Sequence, residues 1–133
     1  MNEPETIARI LKESKTIAVV GLSEKPDRAS YGVASYLAGK GYKIIPVNPN
    51  ITEWEGMKAY PDLRSVPGKI DVVDIFRRSE FVMPVVEEAI AVKAKAVWMQ
   101  LGVINTEAAA KAEKAGLLVV MDRCMKIEHA KMR

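Results

Sequence analysis

The sequence predicts an α/β fold: a doubly wound, open parallel sheet of five strands with helices on both faces. Two observations carry that prediction. Five short apolar runs recur along the chain, at residues 16–20, 42–47, 70–76, 94–99 and 117–121, each apolar enough for a strand buried on both faces. Between most of them lie stretches with apolar residues at helical spacing, and strand–helix–strand units of this length make right-handed crossovers in a parallel sheet. The expected strand order is 3-2-1-4-5, which reverses its winding between strands one and four.

The leading helix is marked by Ile7, Ile10 and Leu11 at i, i+3 and i+4. Strand one, Thr16-Ile17-Ala18-Val19-Val20, ends at Gly21 and opens into the polar loop Leu22-Ser23-Glu24-Lys25-Pro26-Asp27-Arg28-Ala29. A helix follows from Ser30, a capping-type residue, and closes at Gly39-Lys40-Gly41. Strand two, at 42–47, carries Pro46, which weakens its ladder.

From 48 to 68 the pattern lapses into turn signals at Asn48-Pro49-Asn50, Pro61 and Pro67-Gly68, with a short helical turn expected near 54–57. Strand three ends in Phe76-Arg77-Arg78. Ser79 is the expected cap of a helix over 80–92. Strand four runs into Gln100-Leu101-Gly102, and Asn105 or Thr106 caps an alanine-rich helix. Strand five is followed by a polar tail containing Asp122-Arg123-Cys124 and His129 that shows no clear period.

Composition bounds the function. The 133 residues, 49% hydrophobic and 28% charged, describe an ordinary globular protein read as a single domain spanning 1–133. A net charge of +3 suits an anionic ligand, yet Lys and Arg do not interleave with aromatics, which form 6% of the chain. That argues against a nucleic-acid surface. One cysteine leaves no internal disulfide and fits a reducing cytoplasm. No apolar run approaches the roughly 20 residues of a membrane span, so a membrane is not an expected partner.

A buried strand, a loop and a helix N-terminus together present free backbone N–H groups and a positive dipole end. With Lys25 and Arg28 in the loop, Gly21 to Ser30 suits a ligand phosphate. The loop has neither the Walker pattern nor the G-x-G-x-x-G dinucleotide fingerprint. After strand two the chain reads Val47-Asn48-Pro49-Asn50, with no carboxylate before Glu53. An acidic residue near that point is what holds free ribose hydroxyls in NAD-binding folds, whereas a neutral amide tolerates a phosphorylated ribose. Arg77 or Arg78 at a strand's carboxyl end can reach ligand phosphate or serve as a surface ion-pair partner. Phe76 either packs in the core or lines the crevice, and Gly102 admits close backbone approach. Neither a nucleophile–base pair nor a metal-ligand cluster can be assembled from local spacing. A lone cysteine beside a strand end, Cys124, reads by default as a small buried residue.

At these residues the chain resembles the small, free-standing CoA-binding proteins of Rossmann type, which are similar to the N-terminal CoA-binding domain of the succinyl-CoA synthetase α subunit. The resemblance runs from about Lys15 to His129. It rests on Val20-Gly21-Leu22-Ser23 with Pro26 and Arg28, on Pro46-Val47-Asn48-Pro49, on Val73-Asp74-Ile75-Phe76-Arg77-Arg78, on Trp98-Met99-Gln100-Leu101-Gly102, and on Asp122-Arg123-Cys124. It implies coenzyme A, or an acyl-CoA, held along the carboxyl edge of the sheet. The contacting residues would be Gly21, Leu22, Ser23, Lys25, Arg28, Ser30 and Tyr31 at the phosphates, and Asn48 and Pro49 near the adenosine. Phe76, Arg77, Arg78, Gln100, Leu101 and Gly102 would line the remainder. The synthetase's first loop is richer in glycine, and its second domain, with the phosphorylated histidine, has no counterpart here; its activity is not carried over. The expectation is a CoA-binding protein rather than an enzyme. The alternatives are an NAD(P)-dependent oxidoreductase or redox sensor on the same architecture, and an interaction module that has lost its ligand.

Overall fold

A computed structural model describes residues 1–132. The elements run α1 (Pro4–Glu13), β1 (Thr16–Val20), α2 (Ala29–Gly39), β2 (Lys43–Val47), β3 (Glu53–Trp54), β4 (Met57–Lys58), β5 (Val72–Ile75), α3 (Val82–Ala91), β6 (Ala96–Met99), α4 (Thr106–Lys114), β7 (Leu118–Val120) and α5 (Met125–Ala130). Among the described residues, five parallel strands form the main sheet in the order β2-β1-β5-β6-β7.

The doubly wound α/β class is as expected, but the strand order is not. In the expected 3-2-1-4-5 order the third long strand would pair beside β2. It instead pairs with the free side of β1, with Ile17 opposite Val72 and Val20 opposite Ile75. The cause is legible at Pro46. Proline has no N–H to give, so β2 suits a sheet edge. Its outer side takes only one isolated bridge: the Tyr60 N–H donates to the Pro46 carbonyl (2.9 Å) and the Asn48 N–H to the Tyr60 carbonyl (2.8 Å). The long connection that makes this bridge also holds the β3–β4 hairpin, where a helical turn was expected. Glu55 and Gly56 at its tip both have positive φ, the geometry of a two-residue hairpin.

Alternation along the strands divides the core. Ala18, Val20, Val73, Ile75, Val97 and Met99 pack under α3 and α4 through Val82, Val86, Ala89, Ala109 and Ala112. Ile17, Val19, Val72, Trp98 and Val120 face the other way, against Ile10 and Leu11 of α1, Val33 and Leu37 of α2, and Met125 of α5. These buried aliphatic side chains are each worth roughly 1.5–3 kcal/mol of transfer free energy.

At the amino edge, Asp71 accepts from the N–H groups of Lys15 (2.7 Å) and Thr16 (3.0 Å). Burial pushes this carboxyl up, but those donors, the Thr16 hydroxyl and Lys95 together hold it below its ordinary value. The start of β5 is thereby fixed against β1. No helix among the described residues is long and apolar enough to cross a membrane.

Candidate functional site

The observed order moves the switch point to the gap between β1 and β5, and ligands in open α/β sheets bind outside the carboxyl ends at that point. The loop after β1 therefore faces Phe76-Arg77-Arg78 directly, with Gln100-Leu101-Gly102 one strand further on.

The β1–α2 loop is built around Gly21, whose φ of +86° turns the chain out of the strand. Leu22 then plugs into the core, fully buried. The leucine side chain thus lies beneath the site, and only its backbone could reach a ligand. The Ser23 N–H donates to the Ser30 hydroxyl (3.0 Å) and the Lys25 N–H to the Ser23 hydroxyl (3.0 Å). Both serines thus brace the loop. Ser30 is not the cap: α2 begins at Ala29 with Arg28 in the capping position, no side chain caps it, and its first turn holds no acidic residue. An uncapped helix start beside two exposed cations favours an anion.

Three depressions meet along this edge. The first is lined by Gly21, Ser23, Lys25, Arg28, Ala29, Ser30 and Phe76. The second, at the end of β2, is walled by Asn48-Pro49-Asn50, Pro61, Asp62, Arg77 and Glu88. The third lies between α2, β5, β6 and α5 and is formed by Val33, Phe76, Arg77, Arg78, Gln100, Leu101, Val103, Cys124 and Ile127. Phe76 lines all three, Ala29 is shared by the first and third, and Arg77 by the second and third. They form one continuous edge. Another depression, at the amino ends of the strands, is flanked by Arg9, Glu13, Lys93 and Lys95; it lies at the wrong end of a parallel sheet for this kind of site.

The expected residues fare unequally. Gly21, Ser23, Lys25, Arg28, Ser30, Asn48, Pro49, Phe76, Arg77, Arg78, Gln100 and Leu101 do line the edge. Tyr31 is half-buried and packs its ring on Trp54 at 5.0 Å, away from the three depressions. Asn48 is partly engaged: one N–H of its amide Nδ2 donates to the Leu22 carbonyl (3.0 Å) and its Oδ1 accepts from the Asn50 N–H (2.8 Å). Gly102 is not among the lining residues; its N–H donates to Asp122 (2.7 Å). Ser79, expected as a helix cap, accepts from the Ile104 N–H (2.9 Å), while of the two expected caps of α4, Asn105 and Thr106, it is Asn105 that accepts from the Ala108 N–H (2.9 Å).

The sequence reading missed α5. Three bonds draw the chain after β7 over the third depression. Trp98 Nε1 donates to the Arg123 carbonyl (2.9 Å), the Met125 N–H to Gln100 Oε1 (3.0 Å), and the Gly102 N–H to Asp122. Cys124 and Ile127 become wall residues as a result. Ile127, at i+3 from Cys124, was the only local signal. Asp62 and Glu88 were also missed, arriving from the long connection and from α3. Both are engaged within the chain, Asp62 by Ser65 and Glu88 by the Leu63 N–H.

The fold and edge define a class, the open-sheet, Rossmann-like α/β proteins with a candidate site at the strands' carboxyl ends. Residues 15–130 match the CoA binding domain family, and the chain belongs to that family. It is 47% identical over 124 residues to the uncharacterized protein YneT of Bacillus subtilis, covering 93% of this chain and 92% of that one. A solved structure of a hypothetical protein from Pyrococcus horikoshii superimposes with a TM-score of 0.93 at 45% identity, covering 97% of this chain and 91% of that one. A third relative is the α subunit of the ADP-forming acetate–CoA ligase II of Pyrococcus furiosus, 37% identical over 67 residues. That match takes in 50% of this chain but 15% of the ligase subunit.

Proposed function

We propose that this protein binds coenzyme A or an acyl-CoA along the carboxyl edge of its sheet. The pyrophosphate lies over the β1–α2 loop, the adenosine toward the end of β2, and the pantetheine arm in the depression under α5. The observation that carries this reading is the three-part edge hinged on Phe76, in a chain of the CoA binding domain family. Each part has a chemistry that suits one part of the ligand. Lys25, Arg28 and the uncapped start of α2 suit a pyrophosphate. Arg77 is the cation beside the adenosine-sized hollow, and the third depression is walled mainly by apolar side chains. The ligase relative, whose name pairs acetate with CoA, supports the same ligand class.

The role is binding rather than catalysis. The groups gathered at the edge hold phosphate and carbonyl oxygen. His129, the sequence's one histidine, is bonded to the Tyr36 hydroxyl through Nδ1 (2.9 Å), on the α2–α5 packing surface. Calorimetric titration with CoA, 3′-dephospho-CoA and NAD is the direct test. CoA should bind tightest. Tighter binding of NAD than CoA would overturn the assignment in favour of a nicotinamide protein.

A further inference from the structure

Resting on the CoA reading, we propose that the third depression is an acyl chamber, and that the ligand it selects is a thioester of CoA with a short apolar acyl group. The cavity is about 490 Å3. Its inner wall is Val33 and Phe76, and its outer wall is Leu101 and Ile127, which stay 64% and 48% exposed. Leucine and isoleucine left exposed along an open depression are apolar surface that a ligand carbon chain would remove from water.

The polar fittings of the chamber point the same way. Gln100 is 4% exposed, and its Oε1 is used by the Met125 N–H. That bond fixes the amide so that Nε2 is the end left for the cavity, and Nε2 has no partner among the described residues. Unlike Trp54 Nε1, Nε2 is open to solvent in the empty depression; a ligand that displaces that solvent must give it an acceptor in return. A carbonyl oxygen is the acceptor it fits, whether from the pantetheine amide or the thioester. The charged groups of the chamber, Arg77 and Arg78, are exposed residues of the β5 turn and leave the Leu101–Ile127 side apolar. A free CoA thiol would leave that side uncovered, and a dicarboxylic acyl group would bring a charge against it.

The experiment is calorimetric titration of the intact chain with CoA and with acetyl-, butyryl-, hexanoyl- and succinyl-CoA. Affinity should rise roughly three- to fourfold per added methylene until the chamber is filled, and succinyl-CoA should gain nothing over acetyl-CoA. Leu101→Asp and Ile127→Asp, at exposed positions, should flatten the dependence on chain length; that slope, rather than absolute affinity, is the readout. Firm CoA binding with equal affinity across the series would overturn the chamber and leave the CoA reading standing. Binding of neither CoA nor any thioester would overturn both.

Discussion

The carbonyl oxygen of Phe76 occupies the space where a side chain at Gly21 would begin: a Cβ built on Gly21 would lie 2.2 Å from it. The two residues sit at the ends of adjacent strands, β1 and β5, and their contact closes the floor of the candidate site. Gly21 also holds a φ of +86°, which a residue with a side chain adopts only under strain. Gly21→Ala should therefore cost about 2–4 kcal/mol from the left-handed backbone and the overpacking together. Urea denaturation checks this. A loss below about 1 kcal/mol would mean that the β1–β5 edge relaxes easily and is no rigid floor.

Arg28 tests the phosphate site separately from the fold. It is exposed, in the capping position of α2, and its guanidinium takes part in no ion pair among the described residues. Arg28→Ala should weaken CoA binding by about 1.5–3 kcal/mol, the value of a charge-assisted hydrogen bond, with the unfolding midpoint hardly moved. Wild-type affinity in the folded variant would take Arg28 out of the site.

Much of this architecture was legible because it rests on local rules. Apolar runs such as Ile17–Val20, the Gly41 helix stop and the Asn105 cap depend on neighbours in sequence. Strand order does not. Whether Val72–Ile75 pairs beside β2 or beside β1 turns on Pro46 and on Tyr60 arriving from a long connection. Local pattern carries no information about that arrival. The same holds at the site. The loop residues and Phe76-Arg77 were found because they follow strands, while Ile127 and Asp62 were not, since tertiary bonds alone bring them to the edge. Leu22, Tyr31 and Asn48 show the converse: their places in the motif are local, but only the folded chain shows that their side chains pack or bond within the protein.

Asp74 gives a pH prediction. It stands in register between Val19 and Trp98, is fully buried, and neither carboxylate oxygen has a partner among the described residues. Burial raises its pKa well above the ordinary 3.8, so the folded chain keeps a proton that the unfolded chain releases. The stability this protonation contributes is complete below 3.8 and is lost as pH rises toward the folded value, at about 1.4 kcal/mol per pH unit within that window. Asp74→Asn cannot titrate. Its stability relative to wild type should climb as pH is raised from 4 upward. A difference independent of pH, in urea titrations across that range, would contradict the buried neutral carboxyl.

Cys124 reports on the arm of the ligand. It is half-buried in the wall shared with Gln100, Leu101 and Ile127. A maleimide should alkylate it slowly in the free protein, and at least tenfold more slowly with saturating CoA, because the pantetheine arm covers the sulfur even where no acyl group reaches Leu101 and Ile127. Intact-mass analysis over time measures both rates, and one cysteine in the sequence makes the assignment unambiguous. Equal rates under demonstrated CoA saturation would place the arm elsewhere.

The last prediction separates two candidates for reading the phosphate on the ribose of CoA. Asn48 was expected to donate to it, but the side chain is tied into the loop: one Nδ2 hydrogen goes to the Leu22 carbonyl and Oδ1 accepts from the Asn50 N–H. Asn48→Asp replaces the donor to Leu22 with an oxygen facing an oxygen. It should lower stability by about 1–3 kcal/mol, as expected for breaking a partly buried hydrogen bond and leaving the acceptor unpaired. Whatever affinity it loses should be lost in similar proportion for CoA and 3′-dephospho-CoA. Arg77 is differently placed. It lines the hollow at the end of β2, and the other charged groups there, Asp62 and Glu88, are carboxylates engaged within the chain. Arg77→Ala should lose about 1.5–3 kcal/mol for CoA and clearly less for dephospho-CoA, since only CoA carries the group that the guanidinium pairs with. Paired titrations of the two ligands against both variants decide the matter. Selective loss of CoA in Asn48→Asp, with Arg77→Ala indifferent to the ribose phosphate, would return the reading role to the asparagine.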